Sequence, residues 1–153
     1  MRYLRIAGSA DLRMPRPRVV LDTNVIVSAH LKDEGLERFV LDLALAHKLH
    51  LYLSAEILEE YKGVLARPAF KLDSVKVAAS LRLMEKAAIM VRPAKKVNAA
   101  KDLDDNKFLE CAEEAQADYL VTGNKKHFPQ QGRQTRIVNA RELLQEIMPD
   151  LQR

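Results

Sequence analysis

The stretch Arg18–Asn24 constrains the fold of this chain more than any other. Three apolar residues, Val19–Leu21, run directly into Asp22, and a helix-like pattern begins at Val25. A short apolar, β-branched run bounded by a turn signal is typical of a strand buried on both faces. Asp22 is therefore predicted at the carboxyl end of a buried strand, where open α/β sheets place their ligands. A carboxylate there is costly without a cation or hydrogen-bond donors beside it, so the stretch first indicates a metal site.

Strand-like and helix-like segments alternate along the rest of the chain. Thr23 and Asn24 have side chains that cap helix starts, Ser54 is a cap for a later helix, and Pro68 ends that helix. The predicted helices cover 25–31, 35–46, 55–66, 74–90, 102–117 and 140–148, and the predicted strands cover 19–21, 50–53, 118–121 and 136–138, with a short edge strand within the connection 91–101. This alternation predicts a three-layer α/β/α fold with a central, mostly parallel sheet of about five strands.

Length and cysteine content exclude several classes of protein. At 153 residues the chain is long enough for one domain with a full core. No apolar run approaches the ~20 residues that cross a bilayer, and the N-terminus lacks an apolar signal core. We therefore expect a cytoplasmic protein with no membrane partner. The single Cys111 excludes an internal disulfide and a multi-cysteine zinc site.

The net charge of +4 comes from the N-terminal segment. Five of the 25 basic residues and one of the 21 acidic residues lie in 1–18, so the remaining chain carries 20 of each. Residues 1–17 are predicted to form a flexible basic arm and residues 18–150 the folded domain. The arm could contact phosphates or act as a solubilising tail, and Met14 is an alternative start of translation. Charge alone does not decide whether nucleic acid is the partner.

A second candidate acid lies on the helix that follows Ser54. At about 100° per residue, its apolar residues point to one side, Glu60 lies on the margin of that side, and Glu59 points nearly opposite. Glu60 is the better candidate for reaching a cleft. The alternative, that both are surface acids, stays open.

A third group of acids, Asp102–Asn106, opens the helix that carries Phe108 and Leu109. Acids at a helix start are favoured by the macrodipole, but three in four residues exceed what a cap requires. Like charges so close repel one another, and a divalent cation would relieve the repulsion. Asp105 lies near the buried face, Asp104 is nearly as well placed, and Asp102 is more peripheral. A solvated acidic cap fits the same pattern.

The segment Tyr119–Asn124 is another apolar run that ends in small polar residues. In a parallel sheet, Thr122 and Asn124 would lie at the same edge as Asp22. Turn formation is the alternative role, since Gly123 and Asn124 suit a turn.

In this order, the four segments resemble the PIN-domain family, in particular the bacterial and archaeal members assigned as toxin components of toxin–antitoxin modules. The resemblance covers about residues 18–140. Val19–Ser28 is similar to the family's opening motif, Ser54–Tyr61 and Leu103–Ala112 to the segments of its second and third acids, and Asp118–Phe128 to its closing motif. Many members carry an acid where this chain has Asn124, which supplies an oxygen but no charge, and Asp104 or Asp102 could compensate.

The resemblance implies metal-dependent endonucleolytic cleavage of single-stranded RNA, and carboxylate ligands suit Mg²⁺ or Mn²⁺. It also implies a homodimer and a cognate antitoxin protein as partners. The predicted catalytic metal ligands are Asp22, Glu60 and Asp105, with Asp104 as a further ligand, Asn24, Thr122 and Asn124 as supporting groups, and Lys125 and Lys126 as RNA contacts.

Two other functions remain weaker alternatives. A catalytically weak or inactive domain of the same fold, binding RNA or protein, is kept open by Asn124. A small-molecule phosphatase would need a second acid two residues after Asp22, where the chain has Asn24. A P-loop or Rossmann nucleotide binder is disfavoured because no glycine-rich turn follows the first strand.

Overall fold

A five-stranded parallel sheet forms the centre of the protein in the computed structural model, which describes residues 16–100, 102–130 and 132–148. The strands are β1 (Arg18–Leu21), β2 (His50–Leu53), β3 (Ile89–Met90), β4 (Tyr119–Val121) and β5 (Arg136–Val138). Their order is β3-β2-β1-β4-β5, and every neighbouring pair is parallel. The predicted five-stranded parallel sheet is therefore confirmed.

Helices flank this sheet and complete the predicted three-layer α/β/α fold. They are α1 (Thr23–Leu31), α2 (Leu36–Leu45), α3 (Ala55–Leu65), α4 (Ser74–Ala87), α5 (Asn106–Ala115) and α6 (Ala140–Ile147), with 3₁₀ turns at Pro68–Phe70, Leu103–Asp105 and Lys125–His127. Helix α5 packs on β1, β2 and β4, α6 packs on β4 and β5, and α2 packs on both α4 and α6.

Strand β1 lies at the middle of the core, as its apolar run predicts. Val19, Val20 and Leu21 are fully buried, because β2 and β4 pair with β1 on either side and helices cover its faces. The hydroxyl of the buried Tyr61 donates a hydrogen bond to the Leu21 carbonyl at 2.5 Å. This bond ties α3 to the carboxyl end of β1.

Three predicted boundaries are wrong in detail. Asp22, not Thr23 or Asn24, is the N-cap of α1, because its carboxylate accepts the Thr23 N–H at 2.7 Å. Helix α4 ends at Ala87 instead of residue 90, since the chain becomes extended there and Ile89–Met90 pairs with β2. The edge strand therefore precedes the segment 91–101 in which it was expected.

The helix predicted from residue 102 also begins late. Asp102 caps a 3₁₀ turn by accepting the Asp104 N–H at 3.0 Å, and α5 starts only at Asn106. Tight turns of this kind are common at helix N-termini. Because of this turn, Asp102, Asp104 and Asp105 do not take the positions that one continuous helix would give them.

The strand order places a topological switch point between β1 and β4. The chain proceeds from β1 outwards to β2 and β3, and then returns to the other side of β1 with β4 and β5. Ligands of open α/β sheets bind at the carboxyl ends of the strands beside such a point. Asp22 follows β1 and Thr122 follows β4, so both lie there.

The described residues cover two other predictions, on membrane spans and on the N-terminal arm, only in part. Within the described residues, no helix is both long and apolar enough to pass through a bilayer. The proposed arm, residues 1–17, lies outside the described residues except for 16 and 17.

Candidate active site

Asp22 occupies the centre of the sheet edge and is almost completely buried, with 7% of its surface exposed. Its backbone N–H donates to Val121 at 2.9 Å, which continues the β1–β4 ladder by one residue. One carboxylate oxygen accepts the Thr23 N–H at 2.7 Å, and the other accepts the Thr122 hydroxyl at 2.7 Å. Each oxygen of Asp22 is thus held by a donor from a different segment.

These two donors do not fully compensate the charge of Asp22. Burial raises the pKa of the Asp22 carboxyl from its ordinary value of 3.8 to about 6, and the nearby charges of Asp105 and Glu60 act in the same direction. The hydrogen bonds from Thr122 and Thr23 oppose the shift only in part. A carboxylate that is this poorly stabilised has a high affinity for an added positive charge.

The predicted supporting residues form a hydrogen-bonded network around Thr122, which is fully buried. The Thr122 hydroxyl oxygen accepts the Asn124 N–H at 3.0 Å and lies 3.5 Å from the Asn24 amide nitrogen. The Asn24 side-chain oxygen accepts the Gly123 N–H at 3.0 Å. The network joins the start of α1 to the turn after β4 and thereby orients Asp22.

Glu60 reaches this edge from α3, whereas Glu59 is exposed. One Glu60 oxygen lies 2.5 Å from the ammonium nitrogen of Lys107, and the other accepts the hydroxyl of Thr23. Glu60 therefore bridges α3 to both α1 and α5. The helical wheel places Glu60 on this side because Tyr61 and Leu65 are buried beside it.

Asp105 approaches from the start of α5, with 17% of its side chain exposed. Burial raises the pKa of Asp105, and the charges of Asp102 and Glu60 add to that rise. The imidazole of His127 lies 3.4 Å from an Asp105 oxygen, and its charge lowers the pKa of Asp105 and so opposes this rise. The Asn124 amide nitrogen is 3.0 Å from the other ring nitrogen of His127. With the amide donating to that nitrogen, the imidazole N–H points at Asp105.

The remaining acids of the α5 entry lie elsewhere. Asp102 and Asp104 are exposed. Asp104 lines a surface cleft of about 430 Å³ with Lys96, Asn98 and Lys107, and none of Asp22, Glu60 and Asp105 lines it. Asp104 as a further metal ligand therefore stays a prediction.

The two lysines predicted to contact RNA differ in their surroundings. Both are exposed in the turn after β4. The ammonium of Lys125 lies 2.8 Å from a Glu142 oxygen, at the start of α6, so an RNA phosphate would have to compete with that pair. Lys126 is the better placed of the two for a phosphate.

Sequence reasoning missed Lys107 and gave no role to His127. Lys107 places a positive charge beside Glu60, and His127 places a proton donor beside Asp105. Each lies inside a segment of the resemblance, two residues after Asp105 and three after Asn124. That proximity was the only signal in the sequence, and it does not specify the partner.

Residues 18–126 match the PIN domain family, which covers more than half of the chain. The chain belongs to the PIN-domain family. It is also 31% identical over 111 residues to an uncharacterized protein of the archaeon Methanocaldococcus jannaschii, covering 71% of each protein. PIN domains are generally nucleases and typically use divalent metals such as Mg²⁺. The predicted family membership is therefore confirmed, whereas the toxin assignment stays a prediction.

The oxygen donors of this PIN domain are of the type that a hard divalent cation binds, but in the described residues they are not arranged around one position. Within residues 16–100, 102–130 and 132–148, no three histidine, cysteine or acidic side chains are arranged to hold a metal ion. The available donors are carboxylate oxygens, which Mg²⁺ and Mn²⁺ prefer, and among the described residues no cationic side chain stabilises the charge of the buried Asp22. The Lys107 ammonium and the Thr23 hydroxyl engage both oxygens of Glu60.

Proposed function

We propose that this PIN domain is a metal-dependent endoribonuclease that cleaves phosphodiester bonds of single-stranded RNA. The main support is the position of Asp22, a buried and poorly compensated carboxylate at the switch point, within electrostatic range of Glu60 and Asp105. These three acids do not stabilise the fold, because burying like charges close together is unfavourable. It has a function if a divalent cation and a phosphate bind there.

In this proposal Asp22, Glu60 and Asp105 hold Mg²⁺ or Mn²⁺ directly or through water. When bound, such an ion activates water for in-line attack and neutralises the charge that develops on the phosphodiester. Thr122 and the Thr23 N–H keep the Asp22 carboxylate in place, and His127 does the same for Asp105. Preorganised groups of this kind avoid reorganisation during the reaction.

The test is cleavage of a labelled single-stranded RNA by the purified protein, with Mg²⁺, with Mn²⁺ and with EDTA. Cleavage should require the metal, and Asp22→Asn should reduce it by at least about 100-fold while circular dichroism shows an unchanged fold. Asp33→Asn, a change of an exposed acid in the α1–α2 connection, is the matched control and should cleave normally. Equal cleavage by wild type and Asp22→Asn would refute the assigned site.

A non-catalytic RNA-binding or protein-binding module is the second candidate. Asn124 favours it, since its amide nitrogen is engaged with His127 and it adds no charge to the site. RNA affinity measured beside cleavage separates the two functions. Tight binding with no turnover on any RNA tested would support the module.

We extend the proposal to a cytoplasmic toxin of a type II toxin–antitoxin pair that forms a homodimer and binds a cognate antitoxin. The resemblance supports the toxin role, and exposed apolar side chains on α1, α2 and α4 offer a dimer surface, namely Leu31, Phe39, Val75 and Leu83. A neighbouring gene for a small DNA-binding protein, co-purification with that protein, and light scattering at the mass of a dimer are the expected results. A monomer at micromolar concentration would contradict the dimer.

A further inference from the structure

The start of α5 is not fixed by the residue that usually fixes a helix start. Asp105 occupies the N-cap position, where an Asp side chain ordinarily accepts a backbone N–H of the first turn, but its carboxylate makes no such bond. The carboxylate lies instead 3.4 Å from the imidazole of His127, at the candidate active site. Other groups therefore hold the first turn of α5 in place.

Asn106, the first residue of α5, ties this turn to a separate part of the chain. Its side-chain oxygen accepts the backbone N–H groups of Ala99 and Ala100 at 3.2 and 2.9 Å, and only 7% of Asn106 is exposed. An amide oxygen that accepts two N–H groups uses both of its lone pairs. Removing it would leave two backbone donors without this partner. We call this pair of bonds the Asn106 clamp.

The clamp is one end of a row of contacts along α5. Side chains of this helix also bind the rest of the connecting segment, residues 91–100. Glu110 accepts the Val97 N–H at 3.0 Å. Glu114 accepts the Ala94 N–H, also at 3.0 Å. The three acceptors are spaced by four residues and therefore share one face of the helix. The clamp is the contact of this row that adjoins the acids of the site.

A second set of bonds holds the chain on the other side of Asp105. The Asp102 carboxylate accepts the Asp104 N–H at 3.0 Å, and the Asp102 carbonyl accepts the Asp105 N–H at 2.9 Å. These bonds close the 3₁₀ turn that leads into α5. Asp105 thus lies between a capped turn and the clamp, and its carboxylate takes part in neither.

We propose that Asn106 is a positioning residue for Asp105, because its clamp fixes the first turn of α5 and so directs the Asp105 carboxylate to the site instead of to its own helix. The inference rests on the proposed function in one respect, the use of the Asp105 carboxylate in the reaction. A group held on both sides by its backbone is preorganised, and misplacing such a group by about 1 Å can lower a rate about 100-fold.

The first experiment follows the clamp and the carboxylate by NMR, at one fixed pH and without metal or RNA. Asn106→Ala removes the clamp, and the amides of Ala99 and Ala100 should then exchange with solvent roughly tenfold faster than in wild type. The ring nitrogen signals of His127 should also shift, because Asp105 moves relative to the imidazole.

Glu114→Ala is the matched control, since it removes a bond of the same row at the far end of α5. It should leave the signals of Ala99, Ala100 and His127 as in wild type. Cleavage of single-stranded RNA is measured on the same samples, at a temperature where all of them are folded. Asn106→Ala should lower kcat about 10–100-fold with KM nearly unchanged, and Glu114→Ala should cleave like wild type.

Several results would overturn the inference. Wild-type amides of Ala99 and Ala100 that exchange as fast as those of an unstructured peptide would do so even if Asn106→Ala does not fold. Faster exchange in Asn106→Ala with unchanged His127 signals would also do so, since the clamp would then hold only the connecting segment. So would equal losses of kcat in Asn106→Ala and Glu114→Ala. A wild type that cleaves no RNA refutes the proposed function, and the NMR signals alone then decide the inference.

Discussion

Replacing Asp22 by Asn should stabilise the metal-free protein at neutral pH. The Asp22 carboxyl has a pKa of about 6 in the folded protein, compared with its ordinary value of 3.8. At about 1.4 kcal/mol per pKa unit, ionising this group in the folded protein costs about 3 kcal/mol more than in the unfolded chain. Asn carries no charge and avoids that cost.

The substitution also changes one hydrogen bond. Asn is as good an N-cap as Asp, so the bond from the Thr23 N–H is kept. The Asp22 oxygen that accepts the Thr122 hydroxyl becomes an amide nitrogen, and the mismatch costs about 1 kcal/mol. The expected net gain at pH 7.5 is therefore about 2 kcal/mol in the free energy of unfolding.

The gain should depend on pH in a defined direction. Well below its ordinary pKa of 3.8, the Asp22 carboxyl is protonated in both the folded and the unfolded states, so its burial costs nothing extra. As the pH rises from 4 to 6, the unfolded chain loses the proton while the folded protein keeps it, and stability falls. Above pH 6 the full cost is present. The advantage of Asp22→Asn should therefore grow between pH 4 and 6 and be constant above.

Urea denaturation followed by circular dichroism, in EDTA at pH 4, 5, 6 and 7.5, measures this difference. Asp33→Asn should stay within about 0.5 kcal/mol of wild type at every pH, because the residue is exposed. An Asp22→Asn protein no more stable than wild type at pH 7.5 would refute the reasoning. The same advantage at pH 4 as at pH 7.5 would show that the effect does not come from the carboxylate charge.

Two further predictions concern the elements that position the site. Tyr61→Phe removes the buried hydroxyl that donates a hydrogen bond to the Leu21 carbonyl. Because that carbonyl then lacks this donor, the free energy of unfolding should fall by about 1–2 kcal/mol. An unchanged urea midpoint would mean that the bond contributes nothing. Asn139→Ala removes the capping box of α6, in which Asn139 and Glu142 exchange hydrogen bonds, and should cost about 1 kcal/mol in the same assay. A similar loss for Asn98→Ala, an exposed residue outside any helix, would show that this cost is not specific to the cap.

Local patterns in the sequence were enough for most of the fold. The apolar run before Asp22, the alternation of strands and helices, and the cap at Ser54 all depend on neighbouring residues, so they predict a parallel α/β sheet without tertiary information. The helical wheel likewise separates Glu60 from Glu59, because the apolar residues of α3 are spaced by three and four. The boundaries near residues 90 and 102 depend on strand pairing and on a side-chain cap, and there the local patterns failed.

Local patterns in the chain were sufficient to identify the chemical groups of this PIN domain and to predict Asp22 at the carboxyl end of a buried strand. The pairing of the charges emerged only from the three-dimensional packing, which sets Lys107 against Glu60, His127 against Asp105, and Asp104 in a surface cleft. Periodicity reports which side of an element is buried, because burial repeats along the chain. The partner of a buried charge is instead set by the packing of elements far apart in sequence, such as α3 against α5.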